Sequence, residues 1–69
     1  MKVTWDDAER WLVVHRGSLR VVVNLADERR EIDLDRRAAD VLFATAELPE
    51  LDGATVTLPP ESAAVLSTH

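Results

Sequence analysis

A chain of 69 residues, 46% hydrophobic and without cysteine, has room for a single domain, residues 1–69, whose small core has no disulfide or thiolate metal site to support it. A net charge of −5 argues against partners with a phosphate backbone and against anionic membrane surfaces, both of which need a basic face. The longest apolar runs, such as Val21-Val22-Val23, are too short to span a bilayer, so neither nucleic acid nor membrane is an expected partner and the cytoplasm is the expected compartment.

Residues 2–5 read as a first strand and residues 6–10, which are polar, as a loop. Residues 11–16 and 19–25 form a hairpin about Gly17-Ser18, because glycine at the first position of a two-residue loop favours a type II′ turn. That register pairs Leu12 with Val23 and Val14 with Val21, and leaves Trp11, Val13, His15, Arg20, Val22 and Asn24 on the opposite face. A three-residue loop over 16–18 would put His15 among the core residues and segregates the polar groups less well. The face of Leu12, Val14, Val21 and Val23 is therefore the expected core face, with Val23 as its anchor. Residues 26–29 turn, and residues 30–35 alternate, with Ile32 and Leu34 inward and Glu31, Asp33 and Asp35 outward. Residues 36–40 read as a loop or a single helical turn, 41–45 as a strand and 46–53 as a longer loop. Residues 54–58 alternate again with Val56 inward, and Pro59-Pro60 ends that strand because proline has no N–H for the ladder. Residues 63–67 close the chain. Six to seven short strands at even spacing predict an all-β fold, a small antiparallel sandwich or Greek-key domain.

Little in this pattern points to chemistry. Glycosidase carboxylates must flank a bond about 5 to 10 Å apart within a cleft. Glu31, Asp33 and Asp35 are expected on a solvated face, and Asp6, Asp7 and Glu9 in a loop. His15 and His69 are the only histidines and converge with no other metal ligand, His69 being terminal and expected to fray. Ser62 and Ser67 lack a base and an orienting partner, and Gly17 and Gly53 make no phosphate loop. Arg29-Arg30 and Arg36-Arg37 stand among acids and are expected to pair locally. No catalytic residue, cofactor site or metal site is expected. The remaining feature is Trp5 and Trp11, which the loop between them would set side by side on one face with Val13 and Val22. Such a surface has three readings: core, a docking face, or a platform for stacking on a sugar ring.

Three motifs carry a resemblance. They are Val3-Thr4-Trp5-Asp6 leading to Trp11-Leu12-Val13-Val14, the segment from Arg16-Gly17-Ser18 through Val23-Asn24-Leu25-Ala26-Asp27, and Thr57-Leu58-Pro59-Pro60-Glu61-Ser62-Ala63-Ala64-Val65-Leu66. In this order they resemble the C-terminal β domain of alpha-amylase-superfamily glycoside hydrolases, and most of all the malto-oligosyltrehalose trehalohydrolase family. The resemblance implies a parent enzyme that hydrolyses an α-1,4 bond to release trehalose in trehalose biosynthesis. Its catalytic carboxylates would lie on a (β/α)8 barrel of about 250 residues, absent from this chain. None can be carried over to a position here. The implied role is non-catalytic: to pack on and stabilise that barrel in cis, with weak self-association when isolated. The alternatives are a small carbohydrate-binding module using Trp5 and Trp11, or an independent β interaction domain.

Overall fold

The computed structural model describes residues 2–46 and 49–68; His69 and part of the loop expected over 46–53 lie outside them. It has eight strands: β1 (Lys2–Asp6), β2 (Trp11–Arg16), β3 (Leu19–Asn24), β4 (Arg30–Asp33), β5 (Ala38–Ala44), β6 (Glu50–Asp52), β7 (Thr55–Leu58) and β8 (Ser62–Thr68). They form a five-stranded sheet in the order β1-β2-β3-β8-β5 and a three-stranded sheet in the order β4-β7-β6, with every pairing antiparallel. The all-β expectation holds, and no helix is present among the described residues.

Both glycines open two-residue hairpin loops. Arg16 pairs with Leu19 and Asp52 with Thr55, and Gly17 and Gly53 take φ of 59° and 60°, where an L side chain is strained. The expected hairpin register is observed, Leu12 opposite Val23 and Val14 opposite Val21. In the other sheet Ile32 and Val56 are fully buried partners, Leu34 is buried and Asp33 faces out, where it accepts a hydrogen bond from Thr55 Oγ1 at 3.0 Å.

The buried face of the hairpin is the opposite of the expected one. Val13 and Val22, 1% and 0% exposed, enter the core with Ala64 and Leu66 of β8, against Ile32, Leu34, Val56 and Leu58. Leu12, Val14, Val21 and Val23 lie outside and are only half-buried. The polar groups on the inner face are buried because each has partners. Asn24 donates through Nδ2 to the carbonyls of Glu28, Leu58 and Pro59, at 2.9, 3.3 and 3.0 Å, and accepts from the Ala26 N–H at 2.9 Å. Arg20 donates to both oxygens of Asp35, at 2.9 and 3.2 Å, and to the Gly17 and Leu19 carbonyls, each at 2.8 Å. A satisfied polar group can be buried at little cost, so the face with fewer apolar side chains became the core.

Two further boundaries differ. β5 starts at Ala38, inside the stretch read as a loop, and reaches its partner β8 through register shifts between Ala38 and Asp40 and between Val41 and Phe43. Alanine and aspartate are poor strand formers, and here the partner strand overrides that preference. β6 lies within the expected 46–53 loop; all three of its residues are exposed, so no alternation marks it.

Candidate functional site

Three groups of side chains are candidates, and only the first was legible before folding. Trp5 stands opposite Leu12, and Trp11 opposite Asp6, so the two indoles lie on opposite faces of the β1–β2 ladder. The expected grouping of Trp5, Trp11, Val13 and Val22 on one exposed face does not form: Val13 and Val22 are core, Trp11 packs against that core, and Trp5 is 63% exposed on the outer side. Asp6 already belongs to β1, so the loop is one residue shorter than expected, which changes the side on which Trp5 falls.

Both tryptophans nonetheless border one groove at the end of the hairpin. Leu12 and Leu25 line it together with Asp6, Asp7 and Arg10, and its volume is about 320 Å³. The turn below it is held by the Arg10 N–H to the Asp6 carbonyl at 2.7 Å, the Glu9 N–H to Asp6 Oδ1 at 3.0 Å, and the Leu25 N–H to the Arg10 carbonyl at 2.8 Å. Arg10 sits at φ 60°, a left-handed conformation uncommon for a residue with a side chain.

The second group is the outer face of the five-stranded sheet. Its cross-strand pairs are Val3–Val14, Trp5–Leu12, Leu12–Val23, Val14–Val21, Val21–Val65, Val23–Ala63 and Phe43–Val65. They make an unbroken apolar ladder over all five strands, with Trp5 at one corner and Phe43, 62% exposed, near the other edge. The three-stranded sheet instead turns Glu31, Asp33, Thr55 and Thr57 outward, the polar outer face usual for a sandwich. Sequence reasoning missed this face because it was taken for the core.

The third group is polar. Thr4 Oγ1 lies 2.9 Å from His15 Nε2, and His15 Nδ1 lies 3.4 Å from Asp35 Oδ1 without making a hydrogen bond. The order hydroxyl, imidazole, carboxylate is that of an activated nucleophile, but Thr4 sits beside buried Val13 on the inward side of β1, and the Asp35 carboxylate is committed to Arg20. The arrangement ties β1, β2 and β3 to the turn after β4. β4 ends at Asp33, so Asp35 leaves the expected solvated row and swings to Arg20. The hydrogen bonds from Arg20, with the charges of Arg20 and His15, hold the Asp35 carboxyl below its ordinary value of 3.8 despite some desolvation. A depressed carboxylate stabilises the fold above its unfolded pKa and loses that contribution as the pH falls below it. Wild type is therefore expected to lose more urea resistance than Asp35→Asn between pH 7 and about pH 3, by a modest margin, since the side chain is 46% exposed. Equal losses in the two proteins would remove the Arg20–Asp35 pair from the stability account.

Other side chains singled out in the sequence have these partners. Arg30 pairs with Glu28 and Glu9, each at 3.2 Å, and Arg29 reaches Glu50 at 3.9 Å. Ser62 donates to the Pro59 carbonyl at 2.7 Å. No cluster able to hold a metal ion is found among the described residues.

A family model described as "Domain of unknown function (DUF3459)" matches residues 1–65. The chain is 50% identical over 64 residues to the malto-oligosyltrehalose trehalohydrolase of Rhizobium sp. (strain M-11), a match covering 93% of this chain and 10% of that protein. It is 43% identical over 67 residues to the malto-oligosyltrehalose trehalohydrolase of Brevibacterium helvolum, covering 97% of this chain and 11% of that protein. The chain thus spans about a tenth of the length of the curated relatives it matches. No solved structure matches it. The resemblance read from the three motifs is borne out.

Proposed function

Because the chain belongs to the DUF3459 domain family, we propose that it is the non-catalytic β domain of a trehalohydrolase-like glycoside hydrolase, and that it packs through the outer face of its five-stranded sheet on the catalytic barrel of that enzyme. The observation that carries this reading is the apolar ladder from Val3 and Trp5 to Val65 and Phe43. A soluble monomer rarely leaves so continuous an apolar surface in water, and where one persists it marks a contact. The occupant follows from length: the match accounts for about a tenth of each relative, which leaves most of the protein to cover that face.

The proposal assigns the domain no chemistry of its own. The hydrolysis belongs to the barrel, and the contribution here is burial of apolar area at the contact, favourable by roughly 25 cal/mol per Å² before the costs of association. The test replaces the matching segment of the Rhizobium relative with this chain. The chimera is expected to release trehalose from maltooligosyl trehalose, and the same chimera carrying Val21→Asp and Val65→Asp is expected to inactivate at a distinctly lower temperature. Unchanged heat resistance in that variant would refute the contact, and trehalose release by the 69-residue chain alone would refute the non-catalytic assignment.

A further inference from the structure

Strand β1 ends the five-stranded sheet, and among the described residues no strand lies beyond it. Its unspent backbone groups can be named. The Leu25 N–H donates to the Arg10 carbonyl at 2.8 Å, on the rung just past Trp11–Asn24, and hydrogen-bonded rungs of an antiparallel ladder alternate. Leu12, Val14 and Arg16 therefore turn their backbone groups to β3. Trp11, Val13 and His15 turn theirs to β1, where the partners are Asp6, Thr4 and Lys2. That leaves the N–H and C=O groups of Val3 and Trp5 pointing out of the sheet, and such an edge is a template for another strand. The opposite edge, β5, is blunted by register shifts, whereas β1 keeps a regular register from Lys2 to Asp6.

The residues of β1 specify which strand fits. Set antiparallel against itself about Thr4, Lys2-Val3-Thr4-Trp5-Asp6 is self-complementary. Lys2 falls opposite Asp6 of the second copy, Val3 opposite its Trp5, and Thr4 opposite its Thr4. Opposite charges, and an aromatic with a β-branched side chain, are favourable cross-strand pairs. The same register bonds Val3 to Trp5, the two residues whose backbone groups are unspent. The charges are available as well. Lys2 is exposed beside His15 and makes no ion pair among the described residues, and Asp6 spends only Oδ1, on the Glu9 N–H. Other registers fit worse: a slip of one residue sets unspent backbone groups against spent ones, and a slip of two pairs fewer residues and sets a charge opposite Thr4. We propose that a second copy of this chain adds to the β1 edge, antiparallel and centred on Thr4, so that one sheet runs through both copies.

The pairing is isologous, with its two-fold axis between the two Thr4 residues, so it closes as a dimer and uses up the β1 edge of both copies. The ion pair between Lys2 and Asp6 forms twice, once at each end of the joined strands. The inference goes beyond the docking proposal and does not rest on it: it uses the backbone of an edge, and it leaves Val21 and Val65 on the outer face uncovered.

The experiment is sedimentation equilibrium of the 69-residue chain, with amide exchange read by NMR. A reversible dimer is expected with a Kd on the order of 0.1 mM, weak because one strand edge buries less than a standard interface. Exchange at the Val3 and Trp5 amides is expected to slow as the concentration rises. Val3→Pro removes an N–H that the β1–β2 ladder does not use, so it is expected to keep the fold, read by circular dichroism, and to abolish the dimer. Lys2→Glu and Asp6→Lys each set like charges together, so each alone is expected to pair at least about tenfold more weakly than wild type. Mixed in equal amounts they are expected to dimerise, because the mixed pair restores opposite charges at both ends. If the lost Glu9 bond unfolds Asp6→Lys, Val3→Pro and the exchange rates decide the matter. The proposal is overturned if the chain stays monomeric at about 1 mM or if Val3→Pro still dimerises. It is overturned equally if the folded charge variants pair no better mixed than alone, or if Val21→Asp with Val65→Asp dissolves the dimer and Val3→Pro does not, which would place the contact on the outer face.

Discussion

Val22→Asp is expected to leave the chain unfolded at room temperature, whereas Val23→Asp, one residue further on, is expected to leave it folded. Val22 is fully buried beside Val13 and Ala64, in the cluster that includes Ile32 and Leu66. An aspartate there has no partner and would cost several kcal/mol, comparable to the ~3 to 5 kcal/mol a core of this size supplies. Val23 faces outward between Leu12 and Ala63. An aspartate at that position keeps its water, and its cost is the loss of strand preference, about 1 kcal/mol. Far-ultraviolet circular dichroism with urea melts reads both variants. An unfolded Val23→Asp beside a folded Val22→Asp would restore the other face as the core.

Asn24→Ala is the second large effect. The Asn24 amide is fully buried and is the shared partner of three carbonyls and one N–H, on the stretch after β3 and at the end of β7. Alanine would orphan the buried Ala26 N–H, at about 1 to 3 kcal/mol, and would strip the amide donor from the Glu28 and Pro59 carbonyls. A loss of roughly 2 to 4 kcal/mol is expected, enough to make the chain marginal at 25 °C. A loss below about 1 kcal/mol in urea melts would mean that water replaces the amide and that the corner is not held by it.

These two residues show where the sequence was legible and where it was not. Strand pairing was readable because it is local: Gly17 sets the turn, and a period of two then fixes every partner from Arg16–Leu19 to Trp11–Asn24. Which face is buried is not local. It depended on Asp35 meeting Arg20, fifteen residues away, and on the Leu58 and Pro59 carbonyls meeting Asn24, more than thirty away. Without those partners, Arg20 and Asn24 read as surface residues, and the outer face, richer in Leu and Val, read as the core. The strand over 30–33 was readable because its outward side is plainly polar. The same reasoning failed on β3, whose outward residues are apolar, and a failure of that kind is expected where a surface serves a contact as well as the fold. The groove was half legible. Two tryptophans near one loop were visible in the chain, but the faces on which they fall depended on Asp6 joining β1 and pairing with Trp11.

The central claim, that the outer face is a contact surface, is tested most directly by the reactivity of a single thiol. The chain has no cysteine, and Phe43 is an exposed member of that face, so Phe43→Cys places one reporter there, while Glu31→Cys on the polar face serves as the control. Alkylation is followed by mass spectrometry in the free chain and in the chimera with the Rhizobium relative. The account predicts that both thiols react readily in the free chain, and that in the chimera position 43 becomes strongly protected while position 31 does not. Equal reactivity of position 43 in the two settings would contradict it.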